Sequence, residues 1–327
     1  MFIALLSIIS PRSVDAQSQW QAPDNPVELG QVHWLRNYDE AIAKSEETGL
    51  PVFILFQEVP GCSNCTTYGN EVLSHPFMVE MIETHFVPLA IFNNKGGHDR
   101  KILKQFNEPT WNNPVVRIVN HKGNDLVNRL SGDFSKGGLA NKVSNALQLT
   151  NQVEPQYFSI WKQELTGQKN QEEAYLSMFC FWTGEKEIAK IPGVLSTEAG
   201  FMHGKEVVKV EYDKAQTDLN KIVKVAKKKS VADQVFADKS VKYKNTDKKV
   251  GTYRVDREVK YYLSKTKYKS IPMTPLQAAK VNSLIGQGQS PNDLLSPRQL
   301  ALLATDRAKK NLINQDFVTS WYDVIAM

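Results

Sequence analysis

Cysteine is the residue type that offers this chain its clearest chemistry, and the sequence contains three: Cys62, Cys65 and Cys180. An odd number cannot pair completely within one chain, so a scaffold stapled by disulfides is excluded. Cys62 and Cys65 form a Cys-x-x-Cys pair, whereas Cys180 stands alone in the other half of the sequence. Thiolates attack disulfides and other electrophilic sulfur atoms. The count and spacing therefore indicate thiol redox chemistry.

Two other roles for the Cys-x-x-Cys pair stay open as alternatives. A tetrahedral zinc site would need two more Cys or His ligands, and His75, His98 and His121 do not show ligand-pair spacing. A permanent structural bridge between Cys62 and Cys65 would close a loop of only two residues, which removes little chain entropy. The sequence favours a working redox pair with no metal and no cofactor.

The segments around the pair predict the elements that must position it. The continuous apolar run Pro51–Phe56 predicts a strand buried on both faces. A helix broken near Pro76 is expected over Thr66–Ile82. Further strands are predicted over 86–92 and 115–119, a hairpin partner around Leu126, and a helix over 139–149. Cys62 would then lie at a helix N-terminus, where free N–H groups lower the pKa of a thiol.

This order of elements resembles the thioredoxin-like fold, an α/β domain, and we assign it to residues 25–150. The lead-in Val59-Pro60-Gly61 is similar to that of a thioredoxin-like group in which selenocysteine can take the position of Cys62. The resemblance implies that Cys62 is the nucleophile, that Cys65 resolves the mixed disulfide, and that Pro114 is the cis-proline of the substrate-binding loop. Gly-Cys-Ser-Asn-Cys replaces the usual Trp-Cys-Gly-Pro-Cys, so the redox potential of the family does not transfer.

Cys180 lies where a predicted strand, Ala174–Cys180, passes into a helix that begins at the cysteine. A Pro192-Gly193 turn and two strands with alternating apolar and polar residues follow. On this pattern alone, a cysteine beside two aromatic residues is more often a buried core residue than a nucleophile.

The ordered segments resemble the A-type peptide methionine sulfoxide reductases, whose active-site turn reads Gly-Cys-Phe-Trp-x-x-Glu. The resemblance is good over 174–214 and thin from there to 285. It implies an α+β domain in which Cys180 is the nucleophile, and Phe181 and Trp182 hold the substrate methyl group. Glu206 would protonate the sulfoxide oxygen, because that oxygen must become a leaving group.

The resemblance includes two further residues, and the sequence departs from the family pattern at two points. Asp256 and Tyr261 have the spacing of the family's Asp and Tyr that serve the sulfoxide oxygen. Phe179 stands where the family usually has glycine. The loop that carries a second substrate-binding tyrosine is absent, because Gly204 runs almost directly into Glu206.

The site around Cys180 has no resolving cysteine of its own, which suggests a link to the Cys62–Cys65 pair. A sulfenic acid left on Cys180 needs a thiol to condense with, and no cysteine follows it in the sequence. We therefore expect Cys62 and Cys65 to regenerate Cys180, with a linker over 151–173 joining the halves. The alternatives are a thiol–disulfide oxidoreductase whose degenerate second domain serves recruitment, and a non-catalytic binding protein.

Composition limits the partners. The net charge is +5, with 24 Lys and Arg against 13 Asp and Glu in residues 201–327. The lysine-rich segment 227–249 lacks a series of base-stacking aromatics, so no nucleic-acid partner is expected. The expected partners are oxidised protein substrates and an external thiol or thioredoxin-type reductant.

The ends of the sequence complete the prediction. Residues 1–16 have the apolar core and small residues of a secretory signal, although the basic n-region is missing. They predict an exported, periplasmic or extracellular protein, with a frayed N-terminal segment as the alternative. No apolar run approaches the roughly 20 residues of a membrane-spanning helix. The second domain is assigned to 174–327, with helices over 286–327 that match no family and are expected to pack on that domain.

Overall fold

The computed structural model describes residues 20–241, 243, 250–305 and 310–326. The signal segment predicted over 1–16 lies outside the described residues, as does part of the lysine-rich segment 227–249. None of the helices in the described ranges is long and apolar enough to cross a membrane.

A four-stranded sheet organises the first half of the chain. Its strands are β1 (Val52–Gln57), β2 (Val87–Phe92), β3 (Val115–Val119) and β4 (Leu130–Ser131), in the order β2-β1-β3-β4. β1 runs parallel to β2 and antiparallel to β3, and every residue of β1 is buried. The structure confirms the strands predicted at 51–56, 86–92 and 115–119. The hairpin partner differs from the prediction, because only an isolated bridge forms at Asp125 and β4 begins at Leu130.

Five helices flank this sheet: α1 (Tyr38–Thr48), α2 (Ser63–Thr67), α3 (Pro76–His85), α4 (Gly97–Gln105) and α5 (Lys136–Leu149). The helix predicted over Thr66–Ile82 is divided into α2, a π-helical turn at Tyr68–Val72, and α3. Pro76 is the first residue of α3, a position that proline favours because its missing N–H has no helical partner there. The predicted break near Pro76 is confirmed.

A five-stranded antiparallel sheet organises the second half. Its strands are β5 (Gln171–Ser177), β6 (Val194–Met202), β7 (Lys205–Asp213), β8 (Gln234–Ala237) and β9 (Arg254–Val255), in the order β8-β5-β7-β6-β9. Helices α7 (Phe181–Ile188) and α8 (Leu219–Lys228) belong to this half. β6 and β7 are joined by a two-residue turn, His203 and Gly204, both with positive φ as tight hairpins require.

The remaining helices are α6 (Gln156–Gly167), α9 (Tyr261–Ser264), α10 (Pro275–Ile285), α11 (Pro297–Ala304) and α12 (Phe317–Ile325). The segment predicted as a linker thus contains an ordered helix, α6, and its last three residues already belong to β5. Trp161 of α6 is buried and stacks on His75 at 4.0 Å between ring centroids. Polar residues misled the prediction, because they cover only the outer face of an amphipathic helix.

The C-terminal helices also pack differently from the prediction. Leu294, Phe317 and Trp321 belong to the hydrophobic core of the first half, not to the core of the second sheet. Phe317, for example, contacts Phe77 of α3 at 4.6 Å between ring centroids. Apolar helix faces identify what will be buried but not which partner will bury it.

Candidate functional site

Cys62 and Cys65 lie at the start of α2, directly after the loop that leaves β1. Cys62 is the N-cap residue and is exposed, whereas Cys65 is fully buried. Both are free thiols, and their sulfur atoms are 3.5 Å apart. The Cys62 thiol is therefore exposed to solvent. The Cys65 thiol lies behind it, close enough to form a disulfide after a small movement.

The two thiols are electrostatically unequal. Hydrogen bonding from the backbone N–H of Cys65 lowers the pKa of the Cys62 thiol, and the Cys65 side chain and the Asn64 backbone act in the same direction. Burial raises the pKa of Cys65 to about 11, and its neighbour Cys62 adds to the shift. A nucleophile must be the thiolate, so the exposed Cys62 is the better nucleophile near neutral pH.

The loop before β3 faces the inner thiol. The Asn113-Pro114 peptide bond is cis, as the resemblance implies for Pro114. The Asn113 Oδ1 atom accepts a hydrogen bond from the Cys65 thiol at 2.8 Å. Because β1 and β3 are adjacent strands, the loops at this end of the sheet meet. No motif in the sequence points to this contact of Asn113.

Gly61 shapes the turn that presents Cys62. Its N–H donates to the carboxylate of Glu28, which is buried, at 2.7 Å. A Cβ at position 61 would lie 2.4 Å from the Glu58 carbonyl oxygen and 2.6 Å from the Cys65 Cβ. Both distances are too short for any side chain, so only glycine fits at this position.

The second cysteine is also the N-cap residue of a helix, α7, and is half-buried. The N–H of Phe181, the first helical residue, donates to the Glu206 carboxylate at 3.0 Å. Thr183 places its hydroxyl 3.5 Å from the Cys180 sulfur. β7 thus brings Glu206 to the start of the helix that begins after Cys180.

Four aromatic side chains in mutual contact form a wall next to this point: Phe181, Trp182, Phe201 and Tyr261. The Trp182 indole N–H donates to Asp256 at 3.1 Å, and its ring stacks on Tyr261 with centroids 3.9 Å apart. Phe181 packs edge-on against Phe201. The structure therefore brings together all six residues predicted for this site: Cys180, Phe181, Trp182, Glu206, Asp256 and Tyr261.

A buried ion pair supports the aromatic wall, and no sequence motif predicts it. The Lys260 ammonium donates to the Glu185 carboxylate at 2.8 Å and also to the Thr197 carbonyl, and both charged side chains are buried. Burial raises the pKa of Glu185, while the neighbouring ammonium opposes that shift. Lys260 precedes Tyr261 and has a positive φ of 52°. The sequence offered no periodic signal for this pairing across 75 positions.

Comparisons with known proteins cover the first of these two sites. Residues 33–121 match a family model described as thioredoxin-like. Residues 33–121 form a thioredoxin-like domain. This domain contains the close Cys62–Cys65 pair and Pro114, whereas Cys180 and its surroundings lie outside the matched range.

Solved structures that are similar to part of the chain include the following two. A DsbH oxidoreductase is 17% identical, with a TM-score of 0.32 over 41% of this chain and 96% of that chain. A thioredoxin from Thermus thermophilus is 22% identical, with a TM-score of 0.30 over 35% of this chain and 85% of that chain. No curated protein matches this chain.

Proposed function

We propose that this protein is a two-site oxidoreductase in which Cys180 reduces methionine sulfoxide and the thioredoxin-like domain returns Cys180 to the thiol. The observation that carries the proposal is the convergence of Glu206, Trp182, Asp256 and Tyr261 around the start of α7. These residues come from distant parts of the sequence, and the resemblance required each of them at one site.

The arrangement supports each part of the first step. The Cys180 thiolate attacks the sulfoxide sulfur, and Glu206 supplies a proton to the oxygen as it is transferred. The products are methionine and a sulfenic acid on Cys180, so the cysteine is oxidised by the two electrons that reduce the sulfoxide. Asp256 and Tyr261, which the resemblance assigns to the sulfoxide oxygen, also hold Trp182, whose ring would contact the substrate methyl group.

The thioredoxin-like domain would complete the cycle. The Cys62 thiolate attacks the sulfenic sulfur, water leaves, and a Cys62–Cys180 disulfide forms. Cys65 then attacks the Cys62 sulfur, which releases the Cys180 thiol and leaves a Cys62–Cys65 disulfide. An external thiol or thioredoxin-type reductant must reduce that disulfide. The exposed Cys62 with its lowered pKa and the buried Cys65 beside it suit these roles.

The proposed substrates are oxidised proteins, and the proposed setting is outside the cytoplasm. The apolar segment and small residues predicted as a signal over 1–16 support export to a periplasmic or extracellular compartment. In such an oxidising compartment, methionine oxidation is common chemistry and a free Cys-x-x-Cys is a working redox pair.

The deciding experiment is reduction of a small methyl-aryl S-sulfoxide with dithiothreitol as the electron source. Dithiothreitol bypasses the thioredoxin-like domain, so we expect turnover by the wild type and by Cys62→Ser, and none by Cys180→Ser. With a protein reductant such as thioredoxin, Cys62→Ser should stop after one stoichiometric reduction. Absence of turnover in the wild type with dithiothreitol contradicts the reductase; normal cycling of Cys62→Ser with thioredoxin contradicts the relay.

One observation favours a second candidate, a thiol–disulfide oxidoreductase whose second domain recruits partners. Phe179, beside Cys180, is 94% exposed, and β6 and β7 are joined by a turn of only two residues, His203 and Gly204, instead of a loop that could cover the site. An open, apolar rim suits a docking surface as well as a catalytic pocket. This candidate predicts disulfide reduction that Cys62→Ser abolishes and Cys180→Ser leaves unchanged.

A further inference from the structure

The Cys62–Cys65 pair has a third neighbour that disulfide exchange does not use. A carboxylate oxygen of Glu58, the Cys62 sulfur and the Cys65 sulfur all lie within 4.8 Å of one another. Across the ranges that the structure describes, no other cluster of three Cys, His, Asp or Glu side chains is this compact. Among the described residues, none forms a hydrogen bond or an ion pair with the Glu58 carboxylate, so its lone pairs are available to a ligand.

We propose that Cys62, Cys65 and Glu58 bind one divalent zinc ion when the pair is reduced. Zinc bonds thiolate at about 2.3 Å, so two sulfurs at adjacent corners of a tetrahedron stand about 3.8 Å apart. The observed separation of 3.5 Å is close to that value. The two sulfurs therefore need almost no rearrangement, and rotation of the Glu58 side chain brings in the third donor.

The surroundings decide the coordination and the metal class. Cys62 is exposed and Glu58 is half-buried, so water can reach the ion and fill the fourth position, as in open zinc sites. Two thiolates and one carboxylate select a borderline-soft ion, because Mg²⁺ and Ca²⁺ prefer all-oxygen ligands. Asn113 stands 2.8 Å from the Cys65 sulfur and would turn its amide N–H₂ toward the thiolate.

Binding has a definite chemical consequence. The two thiols lose their protons to solvent and zinc takes their place, with no change in oxidation state. A sulfur bound to zinc is neither free to attack a disulfide nor free to pair with its neighbour. Zinc and disulfide formation therefore compete for the same two sulfurs, and oxidation of the pair releases the ion. This inference does not depend on what Cys180 does.

The test is a zinc titration of the full-length, fully reduced protein against a chromogenic chelator. We expect one equivalent to bind, and Co²⁺ in place of Zn²⁺ to give a thiolate-to-metal charge-transfer band. Glu58→Gln keeps the size of the side chain but weakens the third ligand, and should lower zinc affinity by at least about tenfold, since even outer partners of metal ligands contribute that much. Cys65→Ser should lose the charge-transfer band of a two-thiolate site.

Two control variants sharpen the result. Glu71→Gln removes another carboxylate shortly after the pair, one that is exposed and outside the donor cluster, and should leave zinc affinity unchanged. Cys180→Ser should also bind one equivalent. Equal affinity of Glu58→Gln and the wild type overturns the assigned ligand set, and absence of binding or of the cobalt band overturns the site. Circular dichroism of each variant separates loss of a ligand from loss of the fold.

Discussion

The two thiols of the thioredoxin-like domain differ in pKa. Backbone hydrogen bonds stabilise the thiolate of Cys62, whereas burial destabilises the thiolate of Cys65. The backbone N–H of Cys65 donates a hydrogen bond to the Cys62 sulfur, whereas the Cys65 thiol is buried and donates to Asn113. A difference in pKa of this kind is what the proposed roles require: Cys62 would attack first, and Cys65 would follow once Cys62 is in a disulfide.

Alkylation of the reduced protein tests this order. Near neutral pH, iodoacetamide should modify Cys62 well before Cys65, because only the thiolate reacts and the pKa of Cys65 is about 11. The rate at Cys62 should level off below the pH typical of an ordinary thiol. Mass spectrometry of peptides after timed quenching gives both rates from one sample.

Cys65→Ser is the matched control for the alkylation experiment. Serine keeps the backbone N–H that is the largest cause of the lowered pKa at Cys62, so the pH profile of Cys62 should move only slightly upward. Equal labelling of both cysteines in the wild type, or a Cys62 profile like that of free cysteine, would contradict the proposed roles.

At the scale of elements, α6 is the piece that ties the second half to the thioredoxin-like core. Its Trp161 stacks on His75, packs against Phe77 of α3 and lies in the same cluster as Phe317 of α12. Burial lowers the pKa of His75 well below its ordinary value, so the imidazole is neutral and packs as an aromatic ring. These contacts anchor α6 and α12 to the first domain.

Replacement of Trp161 by alanine should therefore destabilise the protein strongly. Loss of a buried tryptophan leaves a cavity and typically costs about 3–5 kcal/mol. Trp111→Ala is the matched control, since Trp111 is 80% exposed and such surface changes fall within about 0.5 kcal/mol. Urea unfolding followed by circular dichroism measures both. Similar midpoints for the two variants would show that α6 does not anchor the fold.

At the scale of the whole molecule, one buried carboxylate joins elements that lie far apart in the sequence. Glu164 of α6 accepts a hydrogen bond from the N–H of Leu276, in the first turn of α10, at 2.9 Å. α10 in turn contacts the second half, where Ser283 donates to the carbonyl of Lys186 in α7. Burial raises the pKa of Glu164 to about 7, against the pull of the Leu276 and Thr274 hydrogen bonds.

This raised pKa predicts a pH dependence of stability. Between an unfolded pKa of 4.5 and a folded value of about 7, the folded protein holds a proton that the unfolded chain has lost. The contribution of Glu164 to stability therefore falls as pH rises through this window, by about 3 kcal/mol at most. Glu164→Gln stays neutral and keeps an oxygen for the Leu276 N–H. The stability of this variant should therefore fall less than that of the wild type as pH rises.

The measurement compares urea midpoints at about pH 5, near the lower end of the window, and at about pH 8, above it. Glu46→Gln, at an exposed position on α1, should follow the wild type at both values. If the wild type and Glu164→Gln lose the same amount of stability between the two pH values, the titration of Glu164 is not the cause of the loss.

The sequence alone determined the parts that depend on local pattern. The apolar run of β1, the Cys-x-x-Cys at the start of a helix, and the alternating strands β6 and β7 are readable because buried strands and helix starts have local signatures. Spacing and resemblance together also named Glu206, Asp256 and Tyr261, which contact Phe181 and Trp182, the two residues that follow Cys180.

Only the tertiary structure decided which surfaces meet. The polar stretch before β5 indicated a linker, yet α6 packs in the core of the first half, and the C-terminal helices pack there too. The Glu185–Lys260 pair and the contact of Asn113 with Cys65 join residues that lie far apart in the sequence and whose types are ordinary in isolation. Long-range contacts leave no periodic trace, because they depend on how whole elements stack rather than on the residues next to them in the chain.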